Sequence, residues 1–327
     1  MGSSGMVRME IMKNNHRFEA LIPFALHSIP YILQTHVFKA YCALENLYAQ
    51  KPHLPDTVWD HCVELIQNDE PKVDGIIAPK LLELEEIVDP TSGRDFGPDF
   101  ILSRGLMPLS YWAMHKKVEE LGFSGVFQWY LEQALERPIF LGHEISVLAG
   151  NWQFYTDVIA DNPDPEQVAL FHQRFTEFAT TTFAHGNARV FDHPAIDEVP
   201  PDSEILNEAL HNPGFFGHHV LAFVWAQRVR SVMTDEQCET TRYNLTVLNR
   251  WHQFGHPPTR LEPLSVDWDE GALDEHLTAF FLDGPTNIHQ ITLAEALLWV
   301  WNEYPACRRL VAANLACFTQ GTRPPQT

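Results

Sequence analysis

Two segments of the chain align without a gap. Ala134-Leu-Glu-Arg-Pro138-Ile-Phe140-Leu-Gly142-His143-Glu144-Ile145 matches Ala209-Leu-His-Asn-Pro213-Gly-Phe215-Phe-Gly217-His218-His219-Val220, with six of twelve positions identical. Such a repeat constrains the fold strongly, because each copy is one supersecondary unit that buries its apolar face only against its neighbours. Both copies lead into an apolar segment, holding Trp152 in one and Trp225 in the other. A weaker copy runs from Ala25-Leu26 through Pro30 to Val37. Counting five from Pro30 reaches Thr35, so His36 falls on the second polar position, that of Glu144 and His219. A fourth, one residue shorter, is Pro285-Thr-Asn-Ile-His289-Gln290-Ile291. Four helices are therefore expected to open on a histidine or on a His/Glu pair.

The rest of the chain reads in the same way. Apolar residues recur three and four apart, which predicts helices over 37–48, 58–66, 80–87, 111–121, 126–135, 145–159, 166–183, 220–232, 240–252 and 293–301. No sustained alternation argues for a sheet. The expected fold is all-α, an array of helical hairpins with internal repeats. Residues 6–327 are expected to form a single large helical domain, with a sub-boundary in the acidic, proline-containing stretch 192–203. Residues 1–5, Met-Gly-Ser-Ser-Gly, read as the remnant of an expression tag.

Composition narrows the function. A formal net charge of −21 over 327 residues repels phosphate backbones and anionic lipid, so nucleic acid and membrane surfaces are not expected partners. No run approaches the roughly 18 apolar residues of a spanning helix, and no signal segment opens the chain, which points to a cytoplasmic protein. Five dispersed cysteines without a CxxC suggest reduced thiols. Histidine stands out, with 17 against 22 Lys plus Arg, beside 9 Trp and 21 Phe. That interior suits an apolar or aromatic ligand.

A packing role for the repeat is simple to state: proline ends one helix, glycine turns the chain, and histidine satisfies the next helix start. Convergence argues for more. Equivalent positions at the same end of adjacent helices meet in space, and three or four imidazoles can hold a divalent ion while leaving a position open. Adjacent helical residues diverge by about 100°. Only one of His218 and His219 can therefore face such a centre, the other (His219, Glu144 or Gln290) serving as support or in catalysis.

The runs His36-Val-Phe-Lys-Ala-Tyr-Cys-Ala-Leu, Pro138 to Gly150 and His289-Gln-Ile-Thr292-Leu-Ala-Glu295-Ala-Leu resemble the questin oxidase-like proteins. Those are helical, flavin-independent oxygenases of secondary metabolism, associated with oxidative ring opening of anthraquinone-type polyketides. The resemblance implies non-haem iron on His36, His143, His218 and His289. The chain departs from that pattern at Glu295, where a further histidine is expected, and has no lysine after Lys117. The expected function is thus a metal-dependent oxygenase acting on an apolar aromatic or polyketide-like molecule with dioxygen. Glu144, His219 and Glu295 are its candidate proton-moving residues, and a homodimer is its candidate assembly. The alternatives are a haem- or di-iron-dependent oxygenase, the latter using Glu208-Ala-Leu-His211, and a non-catalytic helical-repeat binding protein. His252 to His256, His185 to His193 and His115 are expected in a helix end, a solvated loop and an exposed helix face. No GxSxG, Walker loop, dinucleotide glycine fingerprint or HExxH is present.

Overall fold

A computed structural model describes residues 17–29, 36–75, 80, 83–84, 96–136, 140–161, 163–184, 196–250 and 260–320. Outside the described residues lie the tag-like start, Pro30 to Thr35, Pro138, most of the helix expected over 80–87 and the 185–193 segment. So do the first part of the 192–203 stretch, His252 and His256. The described residues contain thirteen α-helices and no strand, and a lone antiparallel bridge joins Ser28 to Lys72.

The helices are α1 (Ile22–His27), α2 (Val37–Gln50), α3 (Asp56–Asn68), α4 (Pro98–Arg104), α5 (Leu109–Glu136), α6 (His143–Phe154), α7 (Pro165–Phe183), α8 (Asp202–His211), α9 (His218–Arg228), α10 (Asp235–Arg250), α11 (Glu270–Asp283), α12 (His289–Glu303) and α13 (Arg308–Thr319). Local chemistry sets several of the starts. Pro98 and Pro165 occupy first-turn positions where no backbone donor is missed. The carboxylates of Asp164 and Asp269 accept from Gln167 N at 3.1 Å and Ala272 N at 2.8 Å, capping α7 and α11.

Four helices have no polar face over their first turns. Every residue is buried from Val37 to Leu44 in α2, His143 to Asn151 in α6, His218 to Ala226 in α9 and Gln290 to Leu298 in α12. Helices buried all round belong at the centre. There α12 packs on α2, α2 on α6, α6 on α9 and α9 on α12, closing a ring. The remaining helices wrap it: α5 and α7 lie outside α6, α8 and α10 outside α9, and α13 outside α12. One hydrophobic cluster draws residues from all thirteen helices.

Two details depart from the sequence reading. The helices expected over 111–121 and 126–135 form one run, interrupted at Gly122 (φ 65°, ψ 166°). The helix expected over 145–159 ends at Phe154 and continues as a π-helical turn, Tyr155–Ile159, a widening common near functional sites.

Candidate metal centre

Each helix of the central ring begins at the same end of the ring, and each begins on a histidine. His36 occupies the N-cap of α2, while His143, His218 and His289 are the first residues of α6, α9 and α12. One ring nitrogen from each of the four lies within 4.8 Å of the others. His143 Nε2 is 2.9 Å from His218 Nε2 and 3.4 Å from His36 Nε2. Metal–imidazole bonds of about 2.0–2.1 Å place ligand nitrogens about 2.9 Å apart at a right angle and about 3.4 Å apart at a tetrahedral angle. The two measured separations fit those values.

The local backbone explains the convergence of His143 and His218. Leu141 and Gly142 both have positive φ (65° and 66°), and so do Phe216 and Gly217 (47° and 75°). The sequence repeat is therefore a repeat of one strained turn, since leucine and phenylalanine seldom adopt this conformation. The glycines also allow close approach. A Cβ on Gly142 would meet Ala222 Cβ at 2.8 Å, and one on Gly217 would meet Leu293 Cδ1 at 2.4 Å.

Two rings are hydrogen-bonded from behind, and a third faces a buried carboxylate. His218 Nδ1 donates to the Phe215 carbonyl. His289 Nδ1 donates to Asn287 Oδ1 at 3.2 Å, the same oxygen that accepts from the His289 backbone N–H at 2.9 Å. His36 Nδ1 lies 3.8 Å from Glu70 Oε1, which also accepts from His36 N at 3.2 Å. A proton fixed on Nδ1 leaves the Nε2 lone pair free, the tautomer a metal requires. Free lone pairs 2.9 Å apart repel unless a cation, a proton or a metal, lies between them. Burial first, and the charges of neighbouring histidines and Lys39 second, hold His143, His218 and His289 well below the ordinary imidazole range, so they are neutral and able to ligate. The donor set fits a transition-metal ion. A porphyrin plane does not fit among nitrogens so close together.

The candidate proton-moving residues lie outside the four-nitrogen group. Glu144 lines a small pocket with Ala134, Leu135, Asn244 and Leu245, on the side of α6 facing α5 and α10. The ring of His219 turns back over its own loop, where Nδ1 donates to the Asn212 carbonyl at 2.6 Å. Glu295 is buried in the ring, six residues along α12 from His289, and its Oε1 is ion-paired to Arg228. Gln290 bridges His61 Nε2 and the Phe280 carbonyl. The carboxylate proposed for a di-iron site, Glu208, forms a half-exposed ion pair with Arg260, and His211 Nδ1 donates to the Leu261 carbonyl. His115 pairs with Glu119 on an exposed helix face, as expected.

Two buried ionisable side chains near the histidines escaped the sequence reading. Glu70 is buried beside His36, and burial pushes its carboxyl up to about 7. Lys39, three residues after His36, is wholly buried, and burial brings its amine down to about 7. One large cluster of aromatic side chains packs in the core between α5, α6 and α7. At the histidine centre, Phe215 and Phe216, both partly exposed, stack on His218 and His289 with ring centroids at 5.9 and 5.4 Å.

Fold and site together define an all-α protein whose central four-helix ring carries a buried four-histidine group able to hold a metal ion. No family model, curated protein or solved structure matches the chain.

Proposed function

We propose that this chain is a metal-dependent oxygenase of the questin oxidase-like kind, with non-haem iron on His36, His143, His218 and His289. Its substrate is an apolar, aromatic or polyketide-like small molecule, and its oxidant is dioxygen. The observation that carries the reading is the meeting of four imidazoles, two of them hydrogen-bonded from behind, at metal-ligand spacing. Imidazole suits iron, and a four-nitrogen set leaves coordination positions open for a reactant. When bound, iron supplies the redox chemistry and the polarising charge.

The protein's own groups would then do three things. The hydrogen bonds behind the rings fix ligand geometry before any ion arrives. Phe215 and Phe216 offer flat apolar surface at the rim, where His289 is the one partly exposed ligand, and this favours an aromatic reactant. Glu70 and Lys39, both brought close to neutrality, are suited to exchanging protons with a reactant near pH 7.

Metal quantification on freshly purified protein tests the reading. Near-stoichiometric transition metal is expected in the wild type and almost none in His218→Ala. A clean preparation that binds no metal and consumes no oxygen after ferrous iron is added, with an apolar phenolic substrate present, would sink it. Unchanged metal content in His143→Ala and His218→Ala, with only stability reduced, would favour the non-catalytic alternative.

A further inference from the structure

The four-histidine centre gathers positive charge, and the buried carboxyl of Glu70, beside His36, lies outside the ligand group. Its ligand group contains no carboxylate or thiolate among the described residues, so a divalent ion there keeps its full charge. Four helices of eleven to fifteen residues also direct their N-termini at the same place, each adding partial positive charge.

Lys39 adds to this imbalance. It lies one turn after His36 on α2, and helical side chains lean back toward the N-terminus, here toward the histidines. Its stem is wedged against α6, where a Cβ on Gly150 would come within 2.6 Å of Lys39 Cβ. Its charge bears on His143, His218 and His289. Yet Nζ is fully buried and has no hydrogen-bond partner among the described residues. Glu295, on the neighbouring helix α12, is engaged by Arg228, and Arg228 itself only disfavours the charged amine. A buried amine without a partner is costly, and such groups persist where a ligand completes them.

We propose that the centre binds an anionic oxygen or nitrogen donor between the metal ion and the amino group of Lys39, which positions that ligand and takes up its proton. The proposal rests on the metal reading above. A ligand arriving as a neutral acid, such as a phenol or enol, gives its proton to the Lys39 lone pair. The O–H bond breaks, an N–H bond forms, and the resulting oxyanion lies between the metal and an ammonium. Charge is conserved, and no oxidant is consumed in this step.

Azide is a suitable probe. Wild-type protein and Lys39→Met, each loaded with cobalt(II), are titrated with azide while the visible bands of the metal are followed. Wild type is expected to bind azide. Lys39→Met should hold the same amount of cobalt but bind azide at least about tenfold more weakly, the usual worth of a charge-assisted hydrogen bond. It should also melt no lower than wild type, because methionine removes an unpartnered buried amine without leaving a void. Equal azide affinity in the two proteins overturns the proposal, as does loss of folding in Lys39→Met, which would assign the lysine a structural role. Cobalt-loaded wild type that ignores azide overturns it as well, independently of any variant. A wild type that takes up no metal at all instead removes the reading on which the proposal stands, and metal analysis tells the two failures apart.

Discussion

His143 and His218 reach the centre by a different backbone route from His36 and His289. The first pair follows a turn in which a bulky residue and a glycine both have positive φ. The second pair has ordinary helical backbone just before or at the histidine, with φ −86° at His36 and −60° at Ile288. In the first pair, strain in the turn aims the ring. In the second, side chains take part: Asn287 accepts from the His289 ring, and Glu70 accepts from the His36 backbone N–H. A fourfold site need not be built from four equivalent units. Two copies of one turn fix half the site, and the other half is completed by local hydrogen bonding.

The largest effects should come from the strained turns. Alanine at Gly142 or Gly217 places a Cβ in the left-handed region, which costs about 1–3 kcal/mol from strain alone. Gly142→Ala is expected to be the worse of the two, because its Cβ meets the fixed Ala222 Cβ, whereas Leu293 can swing its methyl away from Gly217. Denaturant unfolding measures both. Losses under about 0.5 kcal/mol at both sites would mean that the turns are not what holds these two histidines.

On the other side of the comparison, Asn287→Ala should leave the fold intact and weaken metal affinity by about 10–100-fold, the usual effect of losing a group behind a ligand. Competition with a chelator gives the number. Unchanged affinity would show that the His289 ring is held by packing against Phe216 rather than by its hydrogen bond.

Much of this was legible in the sequence, for physical reasons. The 3.6-residue periodicity gave the all-α class, and the gapless repeat located His143 and His218 because strained turns require their glycines. His36 was harder. Counting from Pro30 puts Thr35 in register with the strong copies, while the structure uses His36 as an N-cap, one position before the helix rather than its first residue. A weak repeat can keep its chemistry while its register slips. The partners of Glu144 and His219 were not legible, because sequence shows only that neighbours on a helix diverge, not what the second one meets. Lys39 was passed over because a lysine in a helix is ordinarily solvated. The signals that mark it are its place one turn from His36 and an apolar stretch, Val37 to Leu44, with no other charge.

The smallest expected effect separates the two members of one pair. His218 and His219 are adjacent, identical in type and both buried, yet only His218 belongs to the four-nitrogen group. His219 donates to the Asn212 carbonyl and packs its ring on Gly214, where a Cβ would lie 3.0 Å from Nε2. Its removal should therefore cost on the order of 1–2 kcal/mol of folding stability through the lost hydrogen bond and contact. Metal content should be unchanged in His219→Ala, where His218→Ala loses it. If His219→Ala instead empties the centre while remaining folded, the ring of His219 contributes to the site in solution. The division of labour between the paired residues would then have to be redrawn.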